Sequence, residues 1–373
     1  MTGTLQWPQR ITRLTPLADL LAAIGREIAP VAVQRVAVAR AQNLILASDL
    51  ALAAKLPPCA VALRDGYAVR AERSLDASSY APVPLPAAPP QVATGDAMPE
   101  GCDAVAPFEA VETDTLGARM NLTLAPGDGV LAAGADGAAG QHLLPAGAQL
   151  GAGRCAALLA AGIADVPVRR PRIHLVAAKA DASAPIAGAL AVLAGDIGRE
   201  GGEAIAGAGP LDEILAAPAA DAVVAVGGTG SGRDDNAVSV LARAGTVAAH
   251  GIGISPGETA AFGRVRAAPV LLLPGRLDSA LAAWMTIGRP LLGQLAGAAP
   301  TERAWPATLS RKVASSIGLA EIVPVRCRDG KAEPLASGYW PLQALAQADG
   351  WILIAADSEG HPAGTPVAVR ALP

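Results

Sequence analysis

Along the first 170 residues the spacing of apolar positions changes character three times. Leu17, Leu20, Leu21, Ile24 and Ile28 recur at helical intervals, and Val31 to Val38 then alternates as a strand does. The next hundred residues are interrupted by proline and glycine, as in APVPLPAAPPQV. They leave short β-like pieces at Tyr67 to Val69, Ala104 to Pro107 and Met120 to Leu124. Helical spacing returns in GRCAALLAAGIADVPVRR and stops at Gly162, ahead of a short strand and a boundary at Arg169, Arg170 and Pro171.

Beyond Pro171 strands and helices alternate. IHLVAA reads as a strand, IAGALAVLAGDIGRE and LDEILAA as helices, and DAVVAV as a continuously apolar strand. DDNAVSVLARAG follows as a helix, then the strand PVLLLPG and a long helix from Asp278 towards Leu295. Such alternation predicts a parallel sheet covered by helices on both faces. After TERAWP the pattern is β-rich again, with EIVPVRCRDG, DGWILIAADSEG and TPVAVRAL as strands. The division is therefore 1–46 with 140–169 as a helix and β linker domain, 47–139 as a β-rich domain, 170–299 as an α/β domain and 300–373 as a C-terminal β domain.

Composition narrows the function classes. At 373 residues the chain is long for one core, and 52% hydrophobic against 17% charged residues excludes a disordered polypeptide. A formal charge of -4 without any Lys/Arg cluster removes the electrostatic footprint of a nucleic-acid binder. Cys59, Cys102, Cys155 and Cys327 stand far apart without a CxxC pair and read as small buried hydrophobes of a reducing compartment. His142, His174, His250 and His361 lack metal-ligand spacing and read as structural or exposed. MTGTLQWPQRIT has no apolar signal core, and no run reaches the ~18 apolar residues of a membrane span, so a cytoplasmic protein without membrane partner is expected.

The candidate chemistry lies in AVGGTGSGRDDNAV, Ala225 to Val238, between the apolar strand and the next helix. In an open α/β sheet, ligands sit beyond the carboxyl ends of the strands, where helix N-termini offer unpaired N–H groups. Gly227, Gly228, Gly230 and Gly232 let backbone approach an anion closely, which points to a phosphate-bearing ligand. The stretch has neither the Gly-Lys-Ser/Thr of a Walker loop nor a GxGxxG. Of Asp234 and Asp235, one is open to capping the following helix and the other to meeting a cation or ligand donors.

GGTGSGRDD resembles the molybdopterin-binding domain shared by molybdenum-cofactor biosynthesis proteins. DGYAV at Asp65 to Val69, TGDAMPEGCDAV at Thr94 to Val105 and GADGAAGQHLLPAGAQL at Gly134 to Leu150 extend the likeness, as do VRRPRI, HGIGISPGETAAFG, LLLPG and SGYWPLQALAQADGWILI. Together they resemble the molybdopterin molybdenumtransferase family, which includes MoeA and the E domain of gephyrin. The resemblance implies an elongated multidomain α/β and β fold, with a central molybdopterin-binding α/β domain flanked by small β-rich domains. It also implies a homodimer in which the β-rich segment 47–139, too poor in long apolar runs to fold alone, completes a partner's cleft. The implied substrate is adenylylated molybdopterin, which takes up molybdate while AMP leaves. By matching position, Thr94, Asp136 and Asp235 take catalytic roles, Asp235 also as a ligand of Mg²⁺. Gly227, Gly228, Thr229, Gly230, Ser231, Gly232, Asp234, Pro256, Gly257, Pro274, Gly275 and Arg276 bind the pterin, and Asp65, Gly66 and Tyr67 line the cleft.

The departures from this family fall where the chemistry is done. Ala60, Val61 and Ala62 stand where Asp-Asn-Ser precedes DGY, and AKADASAP replaces Thr-Gly-Asp-Glu after the first α/β strand. Ser255, Pro256, Gly257, Glu258 and Thr259 replace Lys-Pro-Gly-Lys-Pro, and Pro274, Gly275, Arg276 and Leu277 replace Pro-Gly-Asn-Pro. Two unit charges about 4 Å apart interact by roughly 4 kcal/mol at an effective dielectric near 20, so exchanging a lysine for Glu258 turns attraction for a dianion into repulsion. The leading expectation is a member that keeps the pterin cradle and has impaired or lost molybdate insertion, serving as a carrier or maturation factor for a molybdoenzyme or insertase. The alternatives are an active insertase relying on Arg64, Arg276, Asp234 and Asp235, or a dimeric scaffold that binds no pterin.

Overall fold

The computed structural model describes residues 9–114, 117–179, 183–207, 209–298 and 304–373. Residues 180–182 of AKADASAP, the 299/300 domain boundary and most of the N-terminal stretch MTGTLQWPQRIT therefore lie outside the described residues. The chain divides into two compact units, Asp49–Pro145 and the remainder.

In the larger unit a six-stranded sheet is built from β1 (Arg172–Ala177), β2 (Glu203–Ala206), β3 (Ala222–Val226), β4 (Thr246–His250), β5 (Ala261–Val265) and β6 (Ala268–Leu273), in the order β2-β1-β3-β6-β5-β4. The first four run parallel. β3 is buried along its whole length, which is why it reads AVVAV without a polar break. Its residues alternate between faces. Ala222, Val224 and Val226 join Ile186, Leu193 and Ile197 of helix α1 (Ala184–Arg199), whereas Val223 and Ala225 join Leu211 and Leu215 of α2 (Leu211–Ala216) and Val238 and Leu241 of α3 (Ala237–Ala244). Helices thus cover both faces, as the alternation predicts.

β4 and β5 pair antiparallel at one edge of this parallel-rich sheet. Only Arg266 and Ala267 separate β5 from β6, too short a link for the crossover a parallel pair needs. Strands β2 and β5, EAIA and AFGRV, carry no run of apolar residues long enough to announce them. The long helix after Asp278 is present as Leu277–Ala283 and Arg289–Ala296, joined by a π-helical turn, Trp284–Gly288.

The chain before the sheet contributes the helix Leu17–Glu27 and a strand, Gln34–Ala37, shorter than the alternating pattern suggested; it pairs with Asp165–Arg169. After it, Ala304–Leu309, Ala320–Arg328, Lys331–Pro334, Gly350–Ile354 and Pro366–Ala371 form a β structure. Gly350–Ile354 pairs with both Ala320–Arg328 and Pro366–Ala371, which closes the sheet on itself. Its core holds Leu309, Val313, Val323, Val325, Ile352 and Val369. Buried Asp196 ties this part to the α/β part. Its carboxylate accepts from Arg289 Nε and Nη2 at 2.8 and 2.9 Å, from Trp284 Nε1 at 2.7 Å and from Arg199 at 3.1 Å, while Arg289 Nη1 donates to Ala371 O at 2.8 Å.

The smaller unit is made of short strands, including Gly66–Val69, Val83–Leu85, Ala104–Ala106, Val111–Asp114 and Gly117–Met120; the β-like piece assigned to Met120 to Leu124 ends at Met120. It has its own core of Val69, Ala104, Ala106, Ala118, Met120 and Leu124, assembled from short pieces of chain. The cysteines also depart from expectation. All four are free, but only Cys155 is buried, and Cys59 is exposed on a loop.

Candidate functional site

The strand order reverses between β1 and β3, since the chain moves outward from β1 to β2 and then returns past β1 to β3. The carboxyl ends of these two strands flank a topological switch point, the place where open α/β sheets bind ligands. β3 runs straight into the glycine loop there. Gly227 and Gly228 have φ of +101° and +69°, a region that penalises any Cβ. The Gly227 amide donates to Leu273 O at 2.8 Å, at the end of β6, and a Cβ on Gly275 would lie 3.5 Å from Gly227 Cα. The turns after β3 and β6 therefore lie against each other. Across the switch point, Lys179 after β1 pairs with Asp235 at 3.3 Å.

Thr229, 1% exposed, bonds Thr259 through their hydroxyls at 3.0 Å. Its carbonyl lies 3.1 Å from His250 Nε2; a carbonyl only accepts, so Nε2 carries the proton. Asp235 turns back on its own loop, with Oδ2 accepting from the Gly232 amide at 3.0 Å. A Cβ on Gly230 or Gly232 would lie 2.7 or 2.9 Å from that oxygen, so the bare backbone at both positions leaves room for the Asp235 carboxylate. Ser231, Gly232 and Asp234 are exposed on the rim. α3 starts at Ala237, with Asn236 at its N-cap making no side-chain cap, so neither aspartate caps it, as one of them was open to doing.

The second loop, Ser255 to Thr259, turns at Gly257 with φ +121°, where the amide donates to Glu258 Oε2 at 3.1 Å. Beyond Pro274 and Gly275, Arg276 donates through Nε and Nη2 to Asp278 at 3.2 and 2.6 Å, and its guanidinium stands 4.8 Å from the centre of the Tyr339 ring. The Asp278 hydrogen bond, with the charges of Asp278 and Glu258, raises the Arg276 pKa. Asp278 also accepts from the Trp340 amide at 3.1 Å. The positive charge at Arg276 is thus already matched by Asp278. Beside Ser255 lies a cavity of about 230 Å³ whose wall includes Ser315, Ser316, Ser337 and Glu321, with no lysine or arginine in its lining. Among the described residues, no group of three or more His, Cys, Asp or Glu stands together as a metal cage.

In the smaller unit Asp65 and Thr94 are brought together. The Thr94 amide and hydroxyl donate to Asp65 Oδ1 at 2.7 and 3.0 Å, which holds the Asp65 carboxyl below its ordinary range. Tyr67 meets Phe108 edge to face at 5.4 Å. Asp136 is exposed on another loop, its amide donating to Leu56 O at 2.9 Å. Arg64, offered as a substitute cation, instead donates to Val105 O at 3.0 and 2.6 Å and pairs with Asp128 at 3.0 Å. Gly66 sits where a Cβ would fall 2.1 Å from Ala106 O of the neighbouring strand. Gly66→Ala is expected to part those strands and cost about 2 kcal/mol, read from the urea midpoint of the variant.

Sequence reasoning missed Lys179, His250, Thr259, Asp278, Tyr339 and Gln9, all of which touch these loops. His250 and Thr259 lie within the HGIGISPGET block and were visible there. Gln9 had no signal, because its contacts lie 219 and more residues away.

Three family models match the chain in order: "MoeA N-terminal region (domain I and II)" over residues 15–162, "Probable molybdopterin binding domain" over 203–294 and "MoeA C-terminal region (domain IV)" over 306–372. The chain belongs to the MoeA family. Among MoeA-type relatives, molybdopterin molybdenumtransferase 2 of Mycobacterium tuberculosis is 27% identical over 304 residues, covering 69% of this chain and 74% of that protein. The solved molybdopterin biosynthesis MoeA protein of Pyrococcus horikoshii superposes with a TM-score of 0.74 at 28% identity, over 96% of this chain and 99% of that one. A molybdenum cofactor biosynthesis protein of Pyrococcus furiosus, at 20% identity and a TM-score of 0.62, shares the fold over 96% of this chain and the whole of its own. The glycine loop lies within the molybdopterin-binding match, Asp65 and Thr94 within the N-terminal one.

Proposed function

We propose that this MoeA-family protein acts in molybdenum-cofactor biosynthesis by binding molybdopterin or its adenylylated form at the glycine loop, with molybdate insertion impaired or lost. The observation that carries the reading is the charge inventory around an intact cradle. Gly227 and Gly228 keep the backbone turn at the switch point that suits a phosphate. The positions where a molybdate dianion would need cations hold Ser255 and Glu258, and Arg276 is committed to Asp278. Binding without added stabilisation of the transition state does not accelerate a reaction.

Asp235 is the one carboxylate of the loop that faces Lys179 across the switch point, and a divalent ion there would depend on ligand phosphate oxygens for its remaining bonds. Thr94, held by Asp65, offers a hydroxyl-bearing turn that suits phosphate or oxyanion contact. The protein is proposed to work in the cytoplasm as a homodimer and to pass its ligand to an insertase or molybdoenzyme.

The test supplies the protein with adenylylated molybdopterin, Mg²⁺ and molybdate. Calorimetric binding of the pterin with no AMP release above background, and no rescue of a strain lacking its insertase, is the expected result. Ser255→Lys combined with Glu258→Lys should then strengthen molybdate binding by about tenfold or more. AMP release by the unmodified protein would establish an active insertase, and absence of pterin binding would leave a scaffold.

A further inference from the structure

Gln9 lies far from the glycine loop in sequence and is 9% exposed. Its Nε2 donates to Gly228 O at 3.0 Å and Gly230 O at 2.9 Å, and its Oε1 accepts from the Ser239 amide at 3.0 Å. Ser239 is the third residue of α3, so its N–H is one of those a helix start leaves without an internal partner. Asn236 at the N-cap makes no side-chain cap, and Gln9 supplies from 230 positions away the cap that the local sequence lacks. The carbonyl between the two that Gln9 holds, Thr229 O, is held by His250 Nε2. Three successive carbonyls of the loop are thereby turned towards side chains from elsewhere in the fold.

A trans peptide points its carbonyl and the following N–H in opposite directions. With the carbonyls of Thr229 and Gly230 held from the scaffold side, the amides of Gly230 and Ser231 face the other way, and neither has a hydrogen-bond partner among the described residues. We propose that Gln9 is a positioning residue for the glycine loop, orienting the Gly230 and Ser231 amides as a donor pair for the anionic group of the ligand. This rests on the reading of the loop as the pterin cradle. The segment is fastened independently of the loop, since the Thr15 amide donates to Gly251 O at 2.9 Å and the Gly253 amide to Thr15 O at 2.8 Å. It therefore carries Gln9 to the loop from the turn that follows His250. Only a carboxamide offers two donors and an acceptor at this reach.

Gln9→Met keeps the packing and removes all three bonds, whereas Gln9→Glu keeps the acceptor for Ser239 and sets a carboxylate against two carbonyls. Amide exchange in the ligand-free protein is expected to quicken about tenfold at Ala237 and Ser239 in the Met variant. In the Glu variant Ser239 should stay protected while Ala237, bonded to Gly228 O, does not. Both variants should bind molybdopterin at least about tenfold more weakly, with a melting temperature within a few degrees of the parent. Unchanged exchange at Ala237 in both variants, or unchanged affinity in a parent that binds, overturns the proposal. If the parent binds no molybdopterin, the cradle reading falls, and the exchange comparison still decides whether Gln9 sets the loop. Should the Met variant not fold, the Glu variant carries the same comparison.

Discussion

Gly228→Val is expected to weaken molybdopterin binding by at least about a hundredfold, near 2.8 kcal/mol, while the protein remains folded. At φ +69° a β-branched residue is strained whatever the space around it, and here its Cβ would also lie 3.1 Å from Ala237 Cβ and 3.5 Å from the Ala237 amide nitrogen. The loop has to move to relieve this, and the movement breaks the Ala237 N–H to Gly228 O bond of 3.0 Å that sets the loop against α3. The strain costs about 1–3 kcal/mol, less than the stability of an ordinary domain, so the fold survives and the ligand surface does not. Calorimetry beside a thermal melt separates the two effects. An affinity equal to the parent's would show that the ligand does not use this loop.

Asp196→Ala carries the largest expected effect on stability, about 3–5 kcal/mol, because it leaves the Arg289 guanidinium and the Trp284 indole N–H without their acceptor in a site where Asp196 is 1% exposed. The Asp196 carboxyl also predicts a pH dependence. Burial alone would raise its pKa, but the hydrogen bonds and charge of Arg289, with Trp284 and Arg199, outweigh burial and hold it below the ordinary 3.8. The carboxylate's contribution is therefore complete above about pH 4 and is lost as pH falls through the depressed folded value. Urea unfolding of the parent and of Asp196→Asn should show a gap that is full at pH 7 and narrows below pH 4. A gap independent of pH down to 2 would mean that the charge of Asp196 contributes nothing.

Much of the α/β unit was legible because burial on both faces forces a continuous apolar run: AVVAV and PVLLLPG announce β3 and β6, and the 3.6-residue spacing of Ile186, Leu193 and Ile197 announces α1. The glycine loop was legible for a related reason, since a turn with two successive positive φ values admits little else than glycine. Gly230 and Gly232 looked the same in sequence, and there the missing Cβ leaves room for the Asp235 carboxylate. Spacing alone does not distinguish a glycine required by its φ from one required by a neighbouring side chain.

What the sequence determined by itself was local or cumulative: the periodicity of each strongly buried element and the order of motifs that places the chain in the MoeA family. What the tertiary structure decided was which partners the remaining charges have. Arg276 and Arg64 were free cations on paper, yet Asp278 and Asp128 engage them, and Asp235 faces Lys179 rather than the start of its own helix. The physical reason is range. A hydrogen bond or ion pair acts over about 3–4 Å, and residues such as Gln9 and Ser239 come that close only once β3, β6 and the N-terminal segment are packed together.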